Sequence, residues 1–403
     1  MKTVLKKVNA IYSEKNPSTY LRDFNDIDKF IKNREVALLK LKLPKKIFLN
    51  ANLIDFGSGT GLNTLVYSVL GANCTLIEYD KKSALLSQKL FKKFSKNKYK
   101  IINQDIFKTK ISKKYDFVIS NGVAHHTKDP FLNLKICIKC LKKGGFFILG
   151  IGETNGFFQR NLQRYILYTL ASNNNEIVNF AKKLFKEHLK RSKKFSGRTV
   201  DEIIYDTYVN PKINTLSLSD IINFFNKNKL DIYSFYGNKK NLGELLDNEI
   251  TQFKLVNSMT KKQNKKIVNL NLHDIENFSL SNNKNLKTHN QTYSQIDQFN
   301  RSLNEFTTNI NDLEFGKTKN INFKKKIRDL NKKIKNIKKI DIINRQHHLK
   351  FLNECYYMFE ILNSEDTKKN KFLKVEKYLL KCKVLLKGLN GTGMNYIVGH
   401  RNQ

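Results

Sequence analysis

Asp55 stands two residues before the first of three alternating glycines, Gly57, Gly59 and Gly61, in a stretch (53–61) that reads LIDFGSGTG. An apolar run leads into this stretch, and Leu62, Leu65 and Val66 leave it with helical spacing. A strand, a tight glycine loop and a helix start bring backbone N–H groups close to a ligand, which suits a polar or anionic group. Glu78 lies 17 residues beyond Gly61, where an acid can accept hydrogen bonds from both hydroxyls of a ribose. Asp105 and Asn121 each follow or close a further apolar run. Two features speak against a dinucleotide: Leu62 occupies the place of the third glycine of GxGxxG, and the charge of Asp55 disfavours a pyrophosphate. A cofactor with a cationic amino-acid end fits this chemistry better.

The elements that must hold these residues alternate. Strands are predicted at 52–56, 74–79, 99–103, 115–120 and 146–151, with helices at 83–94 and 131–141 between them. Short connections and near-continuous apolar strands argue a parallel, doubly wound sheet covered on both faces, whose ligands sit at the carboxyl ends of the strands.

These ordered pieces resemble the class I S-adenosylmethionine-dependent methyltransferases over residues 50–151. LIDFGSGTG is similar to that family's cofactor loop, TLIEYD to its ribose strand, NQDIF to its adenine contact, YDFVISNGVAHHTKDP to its fourth-strand segment and KKGGFFIL to its next turn and strand. The resemblance implies an α/β fold with a doubly wound, seven-stranded Rossmann-like methyltransferase sheet, and S-adenosyl-L-methionine as cofactor. By the same resemblance Asp55 holds the cofactor's ammonium group, Gly57, Ser58, Gly59 and Gly61 surround its methionine part, and Glu78 takes the ribose. Asp105 accepts from the adenine amine, Ile106 lies along the ring, and Asn121 closes over the methionine. Ser58 departs from relatives that often carry cysteine there, a small change.

For the acceptor, His125 and His126 are the natural general bases, since a neutral imidazole can take a proton from an attacking hydroxyl near neutral pH. Residues 121–124 read Asn-Gly-Val-Ala, unlike the D/N-P-P-Y/F segment associated with amino methylation, and none of the five cysteines follows a proline as base C5 methylation requires. Arg198, Asp201, Asp206 and Tyr208, expected between helical segments ahead of Pro211, are the candidate acceptor-binding residues. The function expected is methyl transfer to a small molecule such as a sugar, lipid precursor or secondary metabolite, with an oxygen nucleophile favoured. An RNA methyltransferase and a non-catalytic cofactor-binding or scaffold protein are the alternatives.

The formal charge of +39 is the one argument for RNA. Only ten of the 74 basic residues are arginine, and the lysines are spread along the chain among many Asn and Ile. Phosphate recognition favours the arginine fork, so nucleic acid is the less favoured partner. Five scattered cysteines and the lack of a long uncharged apolar run or leader point to a reduced, cytoplasmic protein without a membrane span. Cys137 and Cys140 form a lone CxxC inside a predicted helix, and zinc wants four ligands, so no metal is expected.

The expected organisation is a helical lead-in over 1–50 and a methyltransferase domain over 51–240, with a helical substrate cap at about 152–215. A mostly helical, Lys- and Asn-rich region follows over 241–389. Residues 394–398, after Gly391-Thr392-Gly393, read as a strand that returns to the sheet as its antiparallel seventh member. The sequence leaves the acceptor and oligomeric state open.

Overall fold

In the computed structural model, residues 26–154, 156–196, 198–210, 213–237, 286–311, 313, 315, 322–337, 342–386 and 394–402 are described. The first half of the expected helical lead-in, including Tyr12, Tyr20 and Arg22, and residues 241–285 of the Lys- and Asn-rich region lie outside them.

Five strands follow the apolar runs: β1 (Asn52–Phe56), β2 (Asn73–Glu78), β3 (Tyr99–Asn103), β4 (Tyr115–Asn121) and β5 (Leu141–Gly152). With β6 (Leu230–Gly237) and β7 (Met394–Arg401) they form one sheet in the order β3-β2-β1-β4-β5-β7-β6. The first five are parallel, while β7 runs antiparallel to both neighbours, with Ile148 opposite Val398 and Leu230 opposite Arg401. The strand expected at 394–398 therefore lies between β5 and β6. Strand order reverses between β1 and β4, which opens the crevice at the carboxyl ends where ligands bind in such sheets.

Alternation along β1 sends Leu53 to one face and Ile54 and Phe56 to the other. On the Leu53 face, α1 (Ile27–Lys40), α2 (Leu62–Val69) and α3 (Lys81–Phe94) contribute Leu38, Leu65 and Phe91. The opposite face is covered by α4 (Pro130–Lys139) and α9 (Leu218–Lys227) through Leu134, Ile138, Ile221 and Phe225.

A third core is wholly helical. It joins α5 (Phe158–Leu170), α6 (Asn174–Leu184), α7 (Lys186–Ser196) and α8 (Val200–Ile204) to α10 (Leu286–Asn309), α11 (Phe323–Asn336), α12 (Ile342–Leu362) and α13 (Lys368–Lys381). Ile166 and Leu167 of the cap share it with Phe306, Phe359 and Val375 of the later helices. The cap and the Lys/Asn-rich region thus pack as one body, although some 80 residues of sequence separate them.

Several expectations needed correction. The apolar periodicity over 177–189 reads as one helix in the sequence but forms two, because Phe185 leaves the helical region at φ −118°, ψ 27°. Strand β5 begins at Leu141, and the Lys142–Gly145 turn is absorbed as a bulge where its register on β4 shifts. Residues 286–291, part of an Asn- and Lys-rich stretch whose composition reads as loop, open α10. Residues 200–209 are helical throughout: Thr199 and Glu202 close a capping box that starts α8, and the chain continues as a π-helix over Tyr205–Val209. No described helix is long and apolar enough to cross a membrane.

Candidate functional site

Strand β1 delivers Asp55 to the crevice and stops in a loop whose glycines all have positive φ: Gly57 at 75°, Gly59 at 58° and Gly61 at 74°. At Gly57 a Cβ would meet Val123 Cγ2 at 2.5 Å, and at Gly61 it would meet Ser87 Oγ at 2.8 Å. The first contact brings the β4 exit segment directly against the loop. The loop is anchored to β2, since Gly57 N and Ser58 N donate to the Ile77 carbonyl at 2.8 and 3.1 Å. Ser58 Oγ is buried and has no hydrogen-bond partner among the described residues.

Glu78, at the carboxyl end of β2, accepts from Gly59 N at 2.7 Å through Oε2 and from Asp80 N at 2.8 Å through Oε1. Burial pushes its pKa up and the backbone donors oppose the shift. Each oxygen keeps acceptor capacity for a hydroxyl. Asp55 is 4% exposed and accepts from Thr64 Oγ1 at 2.5 Å. Burial, partly offset by Thr64 and reinforced by the charge of Glu78, pushes its pKa up to about 7. No cation is among the groups that set this value, so a bound cation would relieve the burial penalty. Asp105 caps the short turn Ile106–Lys108 by accepting from Phe107 N at 2.9 Å, and Ile106 is buried. Asn121 closes β4, with its amide lying where a Cβ on Gly150 would be. The expected cofactor suits this arrangement: a desolvated carboxylate for an ammonium group, an acid at the next strand end for a ribose, and an orphan hydroxyl in the loop between them.

Beyond Asn121 the chain turns through Ala124–His126. His125 is 3% exposed; its Nδ1 accepts from Gly152 N at 3.3 Å, which places the proton of the neutral ring on Nε2. Burial, with His126 adding to it, drives its pKa well below the ordinary value. His126 lies with ring centroids 4.2 Å from His125 and reaches toward the cap. Its Nδ1 is 3.1 Å from Asn210 Nδ2, and its Nε2 is 4.0 Å from Asp206 Oδ1. Asp206 also accepts from Arg198 Nη1 at 2.9 Å. Burial works against this carboxylate, but Arg198, His126 and Arg160 outweigh it and hold its pKa at about 2.

The π-helix is what aims Asp206 and Tyr208 inward, by closing Asn210 N onto the Tyr205 carbonyl at 2.9 Å. Of the four residues expected to contact the acceptor, Asp206 faces His126 and pairs with Arg198, and Tyr208 is buried beside Arg160. Asp201 is apart from them: its carboxylate is 59% exposed, pairs with Lys182 at 2.8 Å and lines a surface cleft of about 580 Å³ with Asn175 and Tyr205. Asn210, which links His126 to the cap, is not among the sequence candidates; its one signal is its place immediately before Pro211. Among the described residues, no group of three or more His, Cys, Asp or Glu is placed to hold a metal.

A family model described as a methyltransferase domain matches residues 28–185. The ubiquinone biosynthesis O-methyltransferase of Pelagibacter ubique (strain HTCC1062) is 31% identical over 137 residues, 33% of this chain and 56% of that protein. The chain thus spans little more than half the length of that curated relative. The chain is also similar to the solved structure of magnesium protoporphyrin IX methyltransferase from Synechocystis PCC 6803 with bound SAH. That match has 15% identity and a TM-score of 0.33, covering 58% of this chain and 87% of that one. It is similar as well to PKMT2 from Rickettsia typhi in complex with AdoHcy, with 16% identity and a TM-score of 0.39, covering 58% and 49%. The matched segment begins in α1, takes in β1 to β5 and reaches into the helices after β5, and over that segment the chain is similar to a methyltransferase domain.

Proposed function

We propose that the protein transfers a methyl group from S-adenosylmethionine to an oxygen nucleophile on a small molecule. Asp55, the loop of Gly57 to Gly61, Glu78, Asp105, Ile106 and Asn121 hold the cofactor. Bound there, the cofactor supplies an electrophilic methyl group on a sulfonium. The observation that carries the reading is the buried Asp55 carboxylate, whose raised pKa calls for a cationic partner, one strand from a Glu78 set for a ribose.

The acceptor site lies where the β4 exit meets the cap. Asn210 Nδ2 donates to His126 Nδ1, so the neutral ring carries its proton on Nε2, toward Asp206 Oδ1 at 4.0 Å. An acceptor hydroxyl that takes the place of Asn210 at Nδ1 can give its proton to the imidazole there. Asp206, kept ionised by Arg198, stabilises the imidazolium that results. His125, neutral and bonded to Gly152, positions its neighbour. Residue Asp201 takes no part.

Titration calorimetry with S-adenosylhomocysteine tests the cofactor assignment, with micromolar binding expected for the wild type and loss in Gly59→Arg and Asp55→Ala. No binding to the wild type, or binding that survives both substitutions, rejects it. A screen of small hydroxylated compounds for methyl transfer from labelled cofactor tests the acceptor class; transfer to RNA alone would reject it.

A further inference from the structure

The cap helix α5 carries Arg160 and Arg164 one turn apart on the same side. Arg164 is 1% exposed; its Nη2 donates to the Asn210 carbonyl at 2.8 Å and its guanidinium also feels the Tyr168 hydroxyl, while Nε and Nη1 are buried and make no geometrically good hydrogen bond among the described residues. A buried guanidinium with unused donors is destabilising unless an acceptor, best an anionic one, completes it. Tyr208 is fully buried, its hydroxyl has no hydrogen-bond partner among the described residues, and it lies within electrostatic reach of Arg160. Arg160 stacks over the Phe157 ring at 4.6 Å and feels Asp206, Tyr208, Arg198 and Arg164. Burial, opposed by Asp206 and Tyr208 and reinforced by the other two arginines, holds Arg160 below the usual guanidinium range.

Two of the chain's ten arginines, Arg160 and Arg198, therefore act on the one carboxylate of Asp206, and Arg164 lies within electrostatic reach of Arg160. In a chain with far more lysine than arginine, this concentration of planar, bidentate donors selects for an oxyanion. The cluster adjoins the proposed base, because Asn210 bonds Arg164 through its carbonyl and His126 through its amide. Resting on the methyltransferase reading, we propose that Arg160, Arg164 and Tyr208 bind a carboxylate or phosphate group of the methyl acceptor and present its hydroxyl to His126.

The test uses the full-length protein saturated with S-adenosylhomocysteine, titrated with sodium phosphate or sodium benzoate against sodium chloride at equal ionic strength. Thermal unfolding and calorimetry are the readouts. At least one of the two anions is expected to raise the midpoint by about 3 °C at saturation, and the larger response distinguishes phosphate from carboxylate. The effect should fall at least tenfold in affinity in Arg164→Gln and Arg160→Gln and persist in Lys182→Gln, a surface cation. Should Arg164→Gln fail to fold, Arg160→Gln and the near-isosteric Tyr208→Phe examine the same site. No response beyond chloride, or a response that survives these substitutions, overturns the proposal. S-adenosylhomocysteine affinity in the same samples separates the two readings: cofactor binding without an anion response removes only this inference, and an anion response without cofactor binding removes the methyltransferase reading on which it rests.

Discussion

Gly59 donates its backbone N–H to Glu78 Oε2 across 2.7 Å, so the acid assigned to the ribose also pins the glycine loop. Glu78→Gln keeps the shape but turns one acceptor into an NH₂ group facing a backbone donor, either Gly59 N or Asp80 N. We expect S-adenosylhomocysteine affinity to fall about 10- to 100-fold, with about 1–3 kcal/mol lost from stability. Calorimetry and urea unfolding measure the two separately.

Asp55 gives cofactor binding a pH dependence of definite sign. Its pKa in the free chain is about 7, and binding a cation requires the ionised form. Affinity should therefore be constant above about pH 7 and fall about tenfold per pH unit below it. In Asp55→Asn affinity should be lower and flat across pH 5.5–8. The stability contribution has the opposite trend: because the folded-state pKa is raised, the neutral form stabilises the fold at low pH, and this contribution is lost as pH rises from about 4 toward 7.

Gly57 and Gly122 separate backbone strain from crowding. Their φ values are 75° and 76°, yet a Cβ at Gly57 would overlap Val123 while one at Gly122 would meet nothing within 4 Å. Gly122→Ala should cost about 1–2 kcal/mol from the left-handed backbone alone. Gly57→Ala should cost more and also displace Val123 and the His126 turn behind it, reducing turnover. Urea unfolding of the two variants side by side gives the difference.

His126→Ala and Asp206→Asn should leave S-adenosylhomocysteine affinity within about twofold and lower kcat about 10²- to 10⁴-fold, the usual range for a general base. Asp206→Asn should also cost stability, since Arg198 then loses its ionic partner in a half-buried setting. Once an acceptor is in hand, kcat measured against pH in both variants checks the assignment.

The sheet half of the molecule was readable because its strands are apolar runs punctuated by glycine and by acids. Asp55, Glu78, Asp105 and Asn121 fall at or just beyond strand ends, where a parallel sheet gathers ligands. Even β7 was visible, as Met394–Val398 follows a Gly-Thr-Gly break. The acceptor side was less readable, because its geometry depends on a π-helix that sequence periodicity does not announce. Spacing alone makes Asp201 and Asp206 equivalent; the π-turn sends one to Lys182 on the surface and the other to His126. Arg160 and Arg164 look like the polar face of an amphipathic helix until the later helices are seen to bury α5 from the other side.

The position of β7 between β5 and β6 has a consequence for how the chain is made. A ribosome releases β1 to β6 well before β7, and the helices that complete the third core come out in between. Until then β5 and β6 have no common neighbour, and the gap between them is a hydrogen-bonding slot open to any extended peptide. Filling it is a late event across a long loop, slow in the way that high contact order makes folding slow. The two halves are therefore coupled in time as well as in space: the seven-stranded sheet can be completed only after the helical body has been synthesised.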